Sequence, residues 1–392
     1  MTGGARRDRP VRPVPSGPPS FAEARSKRAR VRAAGMDPDY WYAVAHESEL
    51  PRGTTLATRF WGHPVVVYRG TDGSLHALED RCAHRQLKLS GGEVNGCHLT
   101  CTYHGWTYDG HGNVVHYAHD LFGRARPEVT VAAYPVTTRH GLVWIFPGDP
   151  ALAPVRTIPA IPELEGSKPW ARLDASYTWQ AHHSLIIDNV SDFSHSYLHR
   201  RYRPFWDAKL THHALNGDRV ELSYETCVGG GPLTSRFVDR HRIDTTSIDL
   251  AFDYPYQRSD TGGSIKHWCF VLPMDRRTTR VFFLFYFAPG AVKVPGTRRA
   301  LPRGLLPLFV RLAGALVIRP LLREDGQAVE AEQLGYEIHH AAPVVELNPA
   351  VGLFQDLTIR KWKEFLDRDR DRPRPSRIAA ADGRVVPPPP DR

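Results

Sequence analysis

The strongest constraint on what this chain can fold into is a pair of short metal-ligand motifs, Cys82-Ala83-His84 and Cys101-Thr102-Tyr103-His104, sixteen residues apart. Four donors so close in sequence converge most simply from two neighbouring loops. Two chemistries fit them. Two thiolates on one iron and two imidazoles on the other hold a [2Fe–2S] cluster, at a raised potential because neutral imidazoles replace anionic thiolates. The same Cys82, His84, Cys101 and His104 also suit one tetrahedral structural zinc. The remaining cysteines, Cys97, Cys227 and Cys269, bring the total to five. An odd count without an apolar leader speaks against a disulfide framework and for a reducing cytoplasm. Cys97 is expected to be a buried thiol.

The pattern around these motifs is that of short strands. Val65-Val66-Val67-Tyr68, the turn Gly70-Thr71-Asp72-Gly73 and Leu75 to Leu78 predict a hairpin. Leu142 to Phe146 predicts a further strand. A Pro-rich linker occupies 151–165. A helix is expected from about Gln180 to His199, and strands over Arg219–Cys227, Ser247–Phe252, Lys266–Leu272 and Arg280–Phe287. Helices return at Leu305–Gln333 and Gln355–Leu366. Strands framed by helices predict an α+β region with a helix-covered antiparallel sheet.

The net charge of +9 invites a nucleic-acid reading, but its distribution excludes one. Residues 1–35 hold nine basic side chains against Asp8 and Glu23, which leaves about +2 for the rest of the chain. With five prolines in the same stretch, a solvated, disordered tail is expected there. Met36 stands where structure is expected to begin, and a second tail is expected from about Asp369. Arg6-Arg7 is followed by no apolar core of a leader. The apolar stretch Leu305–Leu322 is interrupted by Pro307, Arg311, Arg319 and Pro320, so a buried or amphipathic helix is expected rather than a membrane span. Contact with a membrane surface is the lesser reading.

A second constellation is Asn189, Asp192, His195 and His199. On a helix His195 and His199 share a face, with Asp192 one turn before His195. Taken alone, the segment fits equally an amphipathic helix whose polar side meets water.

The wording of both segments resembles the Rieske non-haem iron ring-hydroxylating oxygenases, of the carbazole dioxygenase, ketosteroid hydroxylase and dicamba demethylase kind. Cys82-Ala83-His84-Arg85, Leu89-Ser90-Gly91 and Cys101-Thr102-Tyr103-His104-Gly105-Trp106 are similar to the cluster motif of that family, which usually has Pro at Ala83 and Thr102 and Gly at Gln86. Asn189, Asp192, His195 and His199 match its second signature. Glu324-Asp325 through Gln333 resembles the stretch that supplies its carboxylate, so Asp325 is chosen over Asp356 as third ligand.

The resemblance implies a two-domain chain. An all-β Rieske [2Fe–2S] domain is expected over 37–150 and an α+β catalytic domain of helix-grip type over 151–368, with tails at 1–36 and 369–392. It implies cluster ligands Cys82, His84, Cys101 and His104, and an Fe(II) facial triad of His195, His199 and Asp325. It also implies a terminal oxygenase fed by a ferredoxin or flavin reductase. That enzyme would use O₂ to hydroxylate or demethylate a hydrophobic aromatic, steroid or polycyclic substrate. A homotrimer is implied, in which Asp192 touches His195 and meets His104 of the next subunit, with Asn189 beside it. A bare electron carrier and a zinc-stabilised binding module are the competing functions. Phe252, Phe270, Phe283, Phe285 and Phe287 are candidates for an apolar pocket, and Leu305–Leu322 for its cover.

Overall fold

The computed structural model describes residues 17–118, 124–167, 170–202, 204–228, 244–292, 301–302 and 304–372. Helix α1 (Lys27–Ala33) is capped by Ser26, whose Oγ accepts from the Ala29 N–H at 3.1 Å. The disorder expected of residues 1–36 therefore fails from residue 17 onward. Arg32 is buried, donates to Ser184 Oγ at 2.7 Å and pairs with Asp188 at 2.8 Å. Lys27 pairs with Asp356, and Arg28 lies over the Tyr336 ring. Acids and a ring from distant elements thus receive the charges that argued for a solvated tail, and Val31, Ala34 and Met36 can be buried. The basic residues Arg6, Arg7, Arg9 and Arg12 and the stretch from 373 lie outside the described residues.

Ten short strands follow. They are β1 (Tyr42–His46), β2 (Thr54–Phe60), β3 (His63–Arg69), β4 (Leu75–Glu79), β5 (Glu93–Asn95), β6 (His98–Thr100), β7 (Thr107–Tyr108), β8 (Val114–His116), β9 (Val136–Arg139) and β10 (Leu142–Ile145). They make three small sheets, ordered β2-β3-β4, β5-β6-β7-β8 and β1-β10-β9. The valines of β3 make it the central strand of its sheet. In the following turn Asp72 Oδ1 accepts from the Ser74 N–H at 2.9 Å, and Gly73 takes φ +95. A core of Val66, Tyr68, Leu78, Leu99 and Tyr108 encloses Cys82 and Cys101. The Pro-rich stretch holds a 3₁₀ turn (Pro150–Val155) and helix α2 (Pro162–Glu165).

The later strands are β11 (Ala171–Trp179), β12 (Trp206–Asn216), β13 (Arg219–Val228), β14 (Asp244–Asp253), β15 (Tyr256–Thr261), β16 (Ile265–Pro273) and β17 (Thr279–Phe287). They form one antiparallel sheet in the order β11-β17-β16-β15-β14-β13-β12. Both faces of its centre are buried, which explains the nearly continuous apolar run of β17. Phe282, Leu284 and Tyr286 meet Ala43, Leu142 and Trp144 of the first region. Val281 and Phe283 face the other way and share one core with residues of helices α3 (His183–Ser191), α5 (Arg319–His339) and α6 (Pro349–Arg370).

Helix α3 corrects the expectation of a helix reaching His199. It stops at Ser191, before either histidine. Asp192 is extended (φ −104, ψ 99), and its Oδ1 accepts from the Ser194 N–H at 2.8 Å. Short polar side chains that bond their own backbone compete with the helical ladder. The chain then runs through turns to Tyr202. The apolar stretch near Leu305 is helical: α4 (Leu306–Ala313) runs through a π turn at Gly314–Ile318 into α5. Pro320 lacks the N–H that an α ladder would use there, which suits a local change of pitch. Among the described residues no helix is long and apolar enough to cross a membrane.

Candidate metal centres

The two Cys/His loops have the same shape. Cys82 N–H donates to Leu87 O at 2.8 Å, and Gln86 N–H to Cys82 O at 2.9 Å. In the second loop Cys101 N–H donates to Trp106 O at 2.8 Å, and Gly105 N–H to Cys101 O at 3.0 Å. The equivalent residues Gln86 and Gly105 both take left-handed backbone, at φ +60 and +66. A Cβ on Gly105 would lie 2.4 Å from Ala118 Cβ, so this loop needs its glycine. The first loop reaches the same conformation with Gln86.

Both loops bury their cysteines and carry their histidines at a half-buried tip. Cys82 Sγ lies 3.2 Å from the Tyr108 hydroxyl, which also accepts from the Ala83 N–H at 2.8 Å. Burial pushes the Cys101 thiol up, and Cys82 beside it adds to this, while backbone N–H groups of Tyr103 and His104 pull the other way. A buried thiol pair of this kind becomes a thiolate pair with a bound metal. The His84 and His104 rings lie 4.4 Å apart, and His84 stacks on Trp106 at 4.7 Å. No three of these four side chains bring their ligand atoms within 4.8 Å of one another. That spread is too wide for one tetrahedral zinc, whose bonds of about 2.0–2.3 Å require closer donors. It suits a thiolate pair and an imidazole pair with a two-iron cluster between them. Cys97 stands outside this set, and it is half-buried rather than buried as expected.

In the second region His195, His199 and Asp325 place one ligand atom each within 4.8 Å of the others, the one such group among the described residues. Asp325 Oδ1 lies 3.5 Å from His195 Nε2 and 3.2 Å from His199 Nε2. The His199 Nε2 is buried and off the line of a hydrogen bond to that oxygen. Two nitrogens grouped around one carboxylate oxygen suit a shared ion better than hydrogen-bonded pairs. His195 and His199 converge through turns closed by Leu198 N–H to His195 O and Tyr202 N–H to His199 O. Phe205 presents an edge to both rings.

The electrostatics are mutually consistent. Burial pushes the Asp325 carboxyl up, but the two imidazoles outweigh it and hold the group below its ordinary value. Burial opposes charge on His199, yet Asp325 and then Glu324 raise its pKa above the usual value. Asp356, the rival to Asp325, is an exposed partner of Lys27 and takes no part in the group.

Of the expected neighbours, Asn189 Nδ2 reaches Asp325 Oδ1 at 3.4 Å. Asp192 does not bond His195. Its Oδ1 accepts instead from the Ser194 N–H and from Asn348 Nδ2 at 2.8 Å. Sequence reasoning missed three residues. Glu324 Oε2 accepts from His199 Nδ1 at 2.9 Å. Asn348 caps α6 through Ala350 N–H and also donates to the Tyr224 hydroxyl at 3.0 Å. Trp179 packs on Gly326, where a Cβ would lie 2.4 Å from its Nε1. An acid directly before Asp325 was the only available signal, and it pointed to Glu324.

The expected pocket phenylalanines divide by face. Phe270 packs against Trp144 on the side away from the histidines, and Phe252 is core against Tyr254 and Phe354. Phe283 and Phe285 lie on the helix side, with Trp179 5.9 Å from Phe283. Phe287 joins a small cluster with Leu173, Leu306 and Val310.

A model of the Rieske [2Fe-2S] domain matches residues 40–121, and one of the vanillate O-demethylase oxygenase C-terminal domain matches 179–364. The chain is 43% identical over 353 residues to the 4beta-methylsterol monooxygenase of Methylococcus capsulatus, covering 89% of this chain and 95% of that protein. It is 38% identical over 231 residues to the dicamba O-demethylase oxygenase component of Stenotrophomonas maltophilia, across 56% of this chain and 64% of that one. Among solved structures, dicamba monooxygenase bound to dicamba superposes with a TM-score of 0.68 at 22% identity, over 86% of this chain and 100% of that chain. The terminal oxygenase of carbazole 1,9a-dioxygenase from Nocardioides aromaticivorans gives 0.60 at 18%, over 86% and 97%. At these identities the solved structures speak for the fold.

Proposed function

The chain belongs to the Rieske non-haem iron oxygenases, and on that premise we propose that it oxygenates a methyl group on an apolar, polycyclic substrate of the sterol kind. The observation that carries this is the His195, His199 and Asp325 group, whose helix packs at Gly326 on Trp179, itself 5.9 Å from Phe283 on the apolar sheet face. Near-complete coverage of the methylsterol monooxygenase favours the sterol class over the smaller aromatic acids. Its cofactors are a [2Fe–2S] cluster and a mononuclear iron. We assign the first to Cys82, His84, Cys101 and His104 and the second to His195, His199 and Asp325.

Bound to these residues, the cluster would supply single electrons and the ferrous ion would supply the activation of O₂. The protein's own part is positional. Glu324 accepts the Nδ1–H of His199, which fixes the tautomer and leaves Nε2 for the metal. Asn189 steadies the Asp325 oxygen from the other side. Buried Trp179 packs on Gly326, next to Asp325, and closes the helix against the sheet there.

The electron donor is a ferredoxin or flavin reductase, and the assembly is a homotrimer in the cytoplasm. Across its subunit contacts His104 of one chain meets Asp192 of the next. Exposed Tyr103 beside His104, and an Asp192 whose Oδ2 takes no hydrogen bond from described residues, support that arrangement. The test is turnover with a surrogate ferredoxin and reductase, offering a 4-methylsterol and a methoxybenzoate side by side. The expected outcome is a sterol product heavier by one oxygen atom. Oxygenation of the methoxybenzoate alone would reject the sterol class.

A further inference from the structure

The helical arm that leads into the Asp325 helix leaves one side uncovered. Leu305, Leu308, Leu312 and Leu316 are 53–67% exposed, at three- and four-residue steps along α4 and the π turn. The opposite side is anchored. Leu306 and Val310 pack with Leu173 and Phe287, and a Cβ on Gly314 would lie 2.6 Å from Leu173 Cδ1. Exposed apolar side chains in single positions are ordinary, but an aligned row on a helix marks a contact surface.

Charge identifies the contact. Arg311, Arg319 and Arg323 run beside the leucines and are exposed. None forms an ion pair with an acid among the described residues, although ion pairs are frequent elsewhere on this surface. Residues 301–323 contain no Asp or Glu at all. A protein partner of ordinary composition would be met by mixed charges. An apolar row edged by unpaired cations fits the boundary between acyl chains and anionic headgroups. The arm is too short and too interrupted to span a bilayer, so it would lie in the plane of the surface.

We propose that this arm docks the oxygenase on an anionic lipid surface. The leucines would enter the headgroup boundary and the arginines would meet lipid phosphates. The buried side of the arm rests on the sheet that lines the iron site, so docking would bring that site close to bilayer-dissolved substrates. The inference stands apart from the choice of substrate, because vesicle binding is read without turnover.

The test is co-sedimentation of the full-length, iron-loaded protein with phosphatidylcholine vesicles, with and without phosphatidylglycerol. Wild type should pellet with the anionic vesicles about ten-fold more than with neutral ones, and lose this in high salt. The pairs Leu308→Glu/Leu312→Glu and Arg311→Glu/Arg319→Glu should each lose about ten-fold of that binding. Cluster absorbance and oligomeric state should be unchanged. If the leucine pair loses its cluster, the arginine pair, altered only at exposed positions, carries the test. Equal pelleting on neutral and anionic vesicles overturns the proposal. So does binding retained by the arginine pair, which would move the contact to the basic N-terminus. An oligomer broken by the substitutions, with no vesicle binding by wild type, would make the arm a contact between copies of this chain.

Discussion

In the first candidate metal centre all four proposed donors come from two loops of one shape, each closed by the same pair of backbone hydrogen bonds. In the second, two donors sit in turns after a broken helix, and the third arrives from α5 more than a hundred residues later. The first site is local and its thiols are sealed in their own small core. The second exists only when α3, α5 and the sheet are packed together. A local site can be set by loop conformation. An assembled one depends on side chains that hold the candidate ligands in place from outside, here Glu324 on His199 and Asn189 on Asp325.

Removing a donor should separate the regions most sharply. Asp325→Ala is expected to abolish product formation and to lose the mononuclear iron, while the cluster's absorbance and EPR signal stay intact. Loss of both centres would mean that the regions are not independent.

Asp192→Asn tests how they communicate. Asn keeps the oxygen that accepts from Ser194 and Asn348, so the fold and both metals should survive. Product formation in single turnover from a pre-reduced cluster should nevertheless fall to a small fraction of wild type. Full turnover would remove Asp192 from the electron path.

Glu324→Gln touches only the setting of a ligand. Gln keeps an oxygen for the His199 Nδ1–H but removes the charge, so the cost should fall at the low end of the about 10–100-fold that loss of such a partner carries in metal affinity. The fall should be read by iron titration of the apo mononuclear site with the cluster unchanged. The same titration carries a pH dependence. Iron binds neutral imidazole, and the carboxylates hold the apo His199 pKa above its ordinary value. Affinity should therefore weaken as pH falls through that raised value. Removing the Glu324 charge lowers the His199 pKa and should shift the weakening to lower pH.

The smallest effect lies in the cluster loops. Gln86 sits at the left-handed position that Gly105 occupies in the other loop. Left-handed backbone costs about 1–2 kcal/mol for an L residue, partly offset by the extra freedom glycine has when unfolded. Gln86→Gly should stabilise by about 0.5–1 kcal/mol, read as a rise in Tm of about 2 °C. A fall would show that the Gln86 side chain supports the loop.

The same contrast governs what could be read in advance. Cys82, His84, Cys101 and His104 could be read as one set because their spacing puts them on two neighbouring loops, and resemblance chose the cluster over zinc. His195 and His199 were legible as residues, yet the helix assigned to them was wrong. Periodicity does not register that Asp192 turns its carboxylate onto the backbone two residues ahead. Asp325 came from resemblance, and no local pattern separates it from Asp356. Only the fold does so, by seating one beside His195 and His199 and the other against Lys27. The strands of β16 and β17 were plain from their apolar runs. β11, β12 and β15 were missed, since polar and charged residues interrupt theirs. The misjudged tail had the opposite cause: composition counted the charge of Arg32 but not Asp188 and Ser184 waiting for it.

One chain is proposed to carry both a cluster and a separate iron. Anaerobic quantification of iron and acid-labile sulfide on the purified protein, with EPR of the dithionite-reduced sample, tests it most directly. The account predicts roughly three irons and two sulfides per chain, two of those irons belonging to a [2Fe–2S] cluster with mixed Cys/His ligation. Two irons and two sulfides, unchanged by Asp325→Ala and by added Fe(II), would leave only an electron carrier. Zinc without sulfide would contradict the account altogether.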